Sequence, residues 1–294
     1  MDWLKMMDSK GSITIEITVV LVIILLIFGV FLTSYENTTN KIIKTQEQEH
    51  MEILTSEVID NLINNPGIPE KWFEYEKGTP GLSIVNEGGE SIPNSVSYVK
   101  LIALGKNYKQ LGYEKLFDSK IHSSMELIPL ERSISSVKIG EENEPSNIFS
   151  VNRLVKCDFY KKYVIKDFQN DGKCNHDHDQ KSHSCNYFKV FKSNLKKSDY
   201  YLLIDDNEKY NLKFIIDTTR VVKEKYWENT MSNQIYLNDK IDFYDDTDAI
   251  VFIHIDKPKA KAVLVSVPKN FDKNKLSYDY FRINECQFVL KAWY

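Results

Sequence analysis

Arginine is nearly missing from this chain. Only Arg132, Arg153, Arg220 and Arg282 occur in 294 residues, although Lys and Arg together number 38 against 42 Asp and Glu. A nucleic-acid-binding face needs a basic stripe and favours the bidentate guanidinium. With a formal net charge of -4, the chain offers neither, so nucleic acid is excluded as a partner. No glycine-rich loop is present to cradle a phosphate, and no serine or cysteine stands in a nucleophile motif. An enzyme is therefore not expected, and no cofactor is implied. Internal repeats are missing too. Long apolar runs are scarce: there is one, and no second, which limits the chain to a single membrane crossing.

That one run is unbroken. Ile17 to Leu32 spans sixteen residues without a charge, diluted only by Thr18 and Gly29. Counted from Ser12 it is 21 residues long, which at ~1.5 Å per residue crosses a ~30 Å hydrocarbon core. Lys5 and Lys10 flank it on one side, which favours a cytoplasmic N-terminus and an exported remainder, although Lys41 and Lys44 lie beyond the other end. A cleaved secretory signal would have a shorter apolar region followed by small residues, and Thr33-Ser34-Tyr35 does not supply them. Elsewhere the 42% hydrophobic content is enough for a packed core in one large or two small domains.

A carboxylate stands inside the apolar span. Ser9-Lys10-Gly11-Ser12-Ile13-Thr14-Ile15-Glu16 leads straight into Ile17-Thr18-Val19. An ionised glutamate in a membrane costs a few kcal/mol, so one at this place calls for a function. The segment resembles the class III signal peptide of type IV pilins, in the form found in archaeal pilin-like proteins. The resemblance implies cleavage by a prepilin peptidase between Gly11 and Ser12, with Lys10 preceding the cut and Glu16 fifth in the mature chain. It further implies that Glu16 pairs with the new amine at Ser12 of a neighbouring subunit during assembly. Archaeal members often begin with Gln, whereas Ser12 stands first here.

A second, looser resemblance covers more of the chain. Pro66-Gly67-Ile68-Pro69-Glu70-Lys71-Trp72, then Gly81-Leu82-Ser83-Ile84, Ser95 to Leu104, Gly112 to Leu116 and a closing Phe288 to Tyr294 follow in order. This succession is similar to secreted pilin-like proteins of methanogenic archaea, where a turn after the long helix is followed by a short helix and strands. The resulting fold class is α+β: a long N-terminal hydrophobic, pilin-type helix followed by a mainly antiparallel β-sandwich-like domain. The expected divisions are a signal peptide at 1–11, a membrane and assembly helix at 12–65, a small helical collar with a first strand at 66–140, and a β-rich extracytoplasmic domain at 141–294.

Local pattern fills in these parts. Met51, Leu54, Val58 and Leu62, joined by Ile59 and Ile63, share one helical face, and Asn65-Pro66-Gly67 stops the helix. Period-two alternation predicts strands at 124–130, 148–160, 187–192, 200–204, 212–217, 249–256, 260–267 and 286–293. Asp205-Asp206-Asn207 and Asp256-Lys257-Pro258 read as hairpin turns, and 141–146 as a charged linker.

Candidate chemistry lies in few places. The four cysteines, Cys157, Cys174, Cys185 and Cys286, allow three disulfide pairings in an exported domain. Cys174 and Cys185 bracket a polar loop, and closing it would add about 3 kcal/mol. Cys157 and Cys286 both share strand faces with apolar residues, which suggests the second pair; the alternative is two free buried thiols. Inside the loop, His176, His178 and His183 stand beside Asp177 and Asp179 as a candidate metal set, without the spacing of a zinc finger. A solvated hairpin tip is the plainer reading. Asp242 to Asp248 is acidic but lacks an EF-hand pattern. Asn37-Thr38-Thr39 is an N-glycosylation acceptor, and His254 sits mid-strand.

The expected protein is therefore a structural or adhesive pilin-like subunit, minor or at the tip of an archaeal type IV pilus-like filament. Its partners would be the prepilin peptidase, other pilin-like subunits, a membrane assembly platform and the membrane itself. The precursor would be single-pass with the N-terminus cytoplasmic and the C-terminal domain extracellular. The alternative is a tethered surface-binding protein that never polymerises, and after that a surface metal-binding protein.

Overall fold

The computed structural model describes residues 3–86, 88–143, 145, 148–170, 183–218, 227–243 and 246–294, with side chains from residue 17 onward. Residues 1–56 and 57–294 form two compact units. The first is a stretch of one helix, α1 (Trp3–Asn64), whose last turns belong to the second unit. Its residues from Ile17 to His50 are almost wholly exposed.

In the second unit α1 ends because Pro66 follows. The orphan carbonyls of its last turn are taken up by the chain that comes back past it. Leu82 N–H donates to Leu62 O at 2.7 Å, Ser83 N–H to Asn65 O at 3.0 Å, and Ser91 Oγ–H to Asn64 O at 2.7 Å. Between them lie the one-turn α2 (Trp72–Tyr75) and the small ladder of β1 (Ile84–Val85) and β2 (Ser91–Ile92). Then come β3 (Ser95–Val96) and α3 (Tyr98–Lys106).

Twelve further strands follow: β4 (His122–Pro129), β5 (Val137–Gly140), β6 (Phe149–Cys157), β7 (Val164–Asp167), β8 (Ser184–Phe191) and β9 (Ser198–Ile204). The remainder are β10 (Lys213–Thr218), β11 (Glu228–Asn229), β12 (Gln234–Tyr236), β13 (Asp248–Ile255), β14 (Ala262–Pro268) and β15 (Asn284–Trp293). They build a five-stranded sheet in the order β3-β6-β15-β4-β5 and two four-stranded sheets, β12-β9-β14-β7 and β11-β10-β13-β8. Every pairing is antiparallel except β3 with β6. The α+β class with mainly antiparallel sheets is thus the observed one.

The connectivity is nested. The last strand, β15, fills the middle of the five-stranded sheet, between β6 and β4. Strands β7 to β14 are accordingly an insertion between β6 and β15, and they make up both four-stranded sheets. One buried cluster draws on both of those sheets: Phe188, Val190, Phe214, Ile216, Val251 and Ile253 from one, Leu202, Ile204, Ile235 and Leu264 from the other. The alternating burial of β13, residue by residue, shows one face of its sheet turned to this core. The turns at 205–207 and 256–258 are present, but they are not hairpins. Each joins strands of different sheets, β9 to β10 and β13 to β14.

Aromatic rings gather where the chain enters and leaves the insertion. Tyr160 packs on Tyr98 at 5.3 Å, on Phe271 at 5.0 Å and on Tyr280 at 5.9 Å between centroids, and Phe159 meets Tyr98 at 5.3 Å. This seam fastens the two crossing connections to the start of α3.

Candidate functional site: the N-terminal helix and its collar

Lys10, Gly11 and Ser12, expected to be processed, and Glu16, expected to act in assembly, all lie on continuous α-helix. Their side chains are outside the described residues. From Ile17 to Leu32 the large apolar side chains are 47% to 69% exposed. An uninterrupted exposed apolar surface of this size is of the kind that faces a membrane or another protein. It is the one helix, among the described residues, long and apolar enough to cross a membrane. Asn37 is exposed on the same helix.

The collar explains why its residues have the identities they do. Trp72 is fully buried, and its Nε1–H donates to Gly81 O at 3.0 Å and to Pro66 O at 3.2 Å. Gly67 has a φ of +89°, and a Cβ there would stand 2.2 Å from Trp72 Cδ1. At Gly81 a Cβ would stand 2.3 Å from the Gly67 nitrogen and 2.4 Å from Asn65 O. The Ile68-Pro69 peptide is cis. Lys100, on α3, is buried and sends its ammonium to Pro66 O and Ser83 O, both at 2.9 Å. Burial lowers its pKa, while the charges of Glu70 and Asp158 pull the other way. A cation against the carbonyl end of α1 is well placed for the helix dipole. The Pro-Gly, Gly-Leu and 95–104 segments therefore converge on the end of α1.

An ion pair fastens the same helix end to the five-stranded sheet. Arg153 donates from Nε to Asp60 Oδ1 at 2.7 Å and from its second nitrogen to Oδ2 at 3.0 Å, a bidentate arrangement. Nothing in the sequence singled out either residue; the inward alternation of β6 (Val151, Arg153, Val155) would have been the clue.

The cysteines divide. Cys157 and Cys286 are free thiols, both fully buried, so the expected bridge between them is not formed. Register gives the reason. Cys157 stands opposite Asn284 and Cys286 opposite Val155, which makes the cysteines diagonal neighbours across β6 and β15. Diagonal positions are about 7–8 Å apart, beyond the usual Cα separation of a disulfide. Burial, and then the hydrogen bond with Cys286, pushes the Cys157 thiol well up. Cys185 is disulfide-bonded and buried on β8. Cys174, with His176 and His178, lies outside the described residues, so neither that pairing nor the metal set is shown. His183 is described and stacks on Trp227 at 5.1 Å. Among the described residues no group of three or more His, Cys, Asp or Glu could hold a metal ion. Tyr244 and Asp245 of the acidic 242–248 turn are likewise outside the described residues. His254 is half-buried on β13, opposite Cys185 and Ile215.

No protein-family model, curated protein or solved structure matches this chain.

Proposed function

We propose that this chain is a pilin-like subunit, made as a membrane-inserted precursor and cut by a prepilin peptidase between Gly11 and Ser12. One observation carries the reading. Lys10-Gly11 precedes Glu16 at the fifth mature position, and the helix continues directly into an apolar stretch that nothing in its own unit covers. In this reading α1 is first a membrane anchor and then an assembly helix. The ionised Glu16 gains a partner, the Ser12 amine of the next subunit, only when the axial register is right. The two four-stranded sheets form a β-sandwich displayed outside the cell, and the chain acts as a minor or tip subunit rather than as an enzyme. Other pilin-like subunits and a membrane assembly platform are its partners.

Replacing Glu16 with alanine tests the register role. Glu16→Ala removes a membrane penalty of a few kcal/mol, so insertion and processing should persist. In the assembled state it leaves the amine without its partner, a loss of about 3–5 kcal/mol. Each ~1.4 kcal/mol is tenfold in an equilibrium constant. The variant should therefore be depleted at least a hundredfold in sheared filaments relative to total membrane. An unchanged ratio would refute the pairing. Wild-type chain in membranes and never in filaments would favour the second reading, a tethered surface-binding protein.

A further inference from the structure

The β12-β9-β14-β7 sheet turns one face to the buried core; its other face is covered over Leu203, Val263, Val265 and Val267 and opens only near Asp199, Gln234 and Tyr236. The connection from β14 to β15 crosses that second face and leaves an open cleft of about 500 Å³, within the ~300–1,000 Å³ range of ligand pockets. The sheet supplies Asp199, Tyr201, Gln234 and Tyr236, and the connection supplies Lys269, Lys273 and Leu276.

Part of this lining is held rigid. Asp199 Oδ1 accepts hydrogen bonds from Tyr236 Oη–H at 3.1 Å, Asn238 Nδ2–H at 3.2 Å and Lys269 Nζ–H at 2.5 Å. Gln234 Nε2–H donates to Leu276 O at 2.6 Å and ties the connection to the sheet. The other part is open to a ligand. Among the described residues the Tyr201 hydroxyl, the Lys273 ammonium and Gln234 Oε1 make no hydrogen bond, and all three line the cleft. The rings of Tyr201 and Tyr236 meet at 5.2 Å and 50°, giving an angled aromatic wall.

We propose that this cleft binds an acidic saccharide, a pyranose-type ring carrying a carboxylate. The aromatic wall suits the apolar C–H face of a sugar ring. A hydroxyl donor, an amide acceptor and an ammonium spread around it suit a polyhydroxylated edge. Two lysines against one aspartate leave the lining with one positive charge, that of Lys273, since Lys269 is matched by Asp199. A carboxylate on the ring would answer it. A single carboxylate in the lining is too few for a cation site, and the polar groups would be stranded by an apolar ligand. The inference does not depend on whether the chain assembles into filaments.

Isothermal titration of the full chain in detergent with tetragalacturonate tests it, with maltotetraose as the neutral comparison. Saturable binding is expected, weakened about tenfold or more by Tyr201→Phe, which removes one oxygen, and by Lys273→Ala. Lys192→Ala, outside the cleft lining, should bind like wild type. Maltotetraose should bind about tenfold more weakly, the equivalent of ~1.4 kcal/mol. Absence of binding, or binding untouched by both cleft substitutions, overturns the site. Equal affinity for the neutral sugar, or full displacement by inorganic sulfate, overturns the ligand class.

Discussion

Gly67 and Trp72 show how narrowly the collar is specified. The glycine must adopt a φ of +89° and also leave room for an indole 2.2 Å from where a Cβ would be. Gly89 has a similar φ of +80° but open space around it, so it separates the two demands. Gly89→Ala should cost only the backbone strain, about 1 kcal/mol, and Gly67→Ala clearly more, because the indole must move as well. Trp72→Ala should cost about 3–5 kcal/mol. Urea midpoints of the three variants should fall in that order, and equal midpoints for both glycine variants would contradict it. The Pro-Gly and Gly-Leu segments can be picked out in the sequence as punctuation. That Trp72 bonds a carbonyl nine residues later is a product of tertiary packing and leaves no local signal. Cysteine chemistry belongs to the same scale. Peptide mapping without reduction should find Cys174 linked to Cys185, with Cys157 and Cys286 reacting with an alkylating reagent only after unfolding. A Cys157–Cys286 peptide from native protein would contradict the diagonal register.

The strands themselves were largely visible in the chain, because alternation reports a half-buried face directly. All eight predicted strands are present as β4, β6, β8, β9, β10, β13, β14 and β15. The strands that escaped, β1, β2, β3, β5, β7, β11 and β12, have two to four residues each, too few to show a period. Sheet membership escaped as well. An aspartate-rich turn looks the same whether it folds a hairpin or carries the chain from one sheet to another. The helix end and collar were readable from Asn65-Pro66-Gly67, whereas the cleft was not, since Asp199 and Tyr201 stand some seventy residues before Lys269 and Lys273 in the chain. The tyrosines at the element junctions make a further prediction. Burial is the largest cause raising Tyr98, Tyr108 and Tyr278, and Tyr278 is pushed up to about 12. A raised folded-state pKa means stability fully present below the unfolded phenol value of about 10 and lost as pH climbs through the folded values. Lys100 works in the opposite sense, because its lowered pKa lets the unfolded chain bind the extra proton just below the ordinary lysine value. The buried Cys157 thiol, also raised, begins the loss near its ordinary value of about 9. Three phenols outweigh one amine, so the urea midpoint should start to decline there and fall more steeply from about pH 10 to about 12. A midpoint that rises over that interval would contradict the burial of these rings.

At the scale of the molecule, the connectivity separates two parts. The end of α1, the collar and the five-stranded sheet are joined by backbone hydrogen bonds and by the Asp60–Arg153 pair. The insertion of β7 to β14 carries the two remaining sheets and the cleft. In the proposed reading the first part serves anchoring and assembly, and the insertion serves whatever the surface must bind. The apolar exposed helix could be foreseen from its run of sixteen residues, and so could the carboxylate at its start. The nested return of β15 into the middle of its sheet could not, since sequence order says nothing about which strand closes a sheet. All of this hangs on the meaning of the Lys10-Gly11-Ser12 junction, which a single intact-mass and N-terminal sequencing measurement on native protein from membranes decides. The account predicts a mature chain that begins at Ser12 and keeps Glu16 as its fifth residue. A chain that retains Met1, or one that begins beyond Leu32, would contradict it.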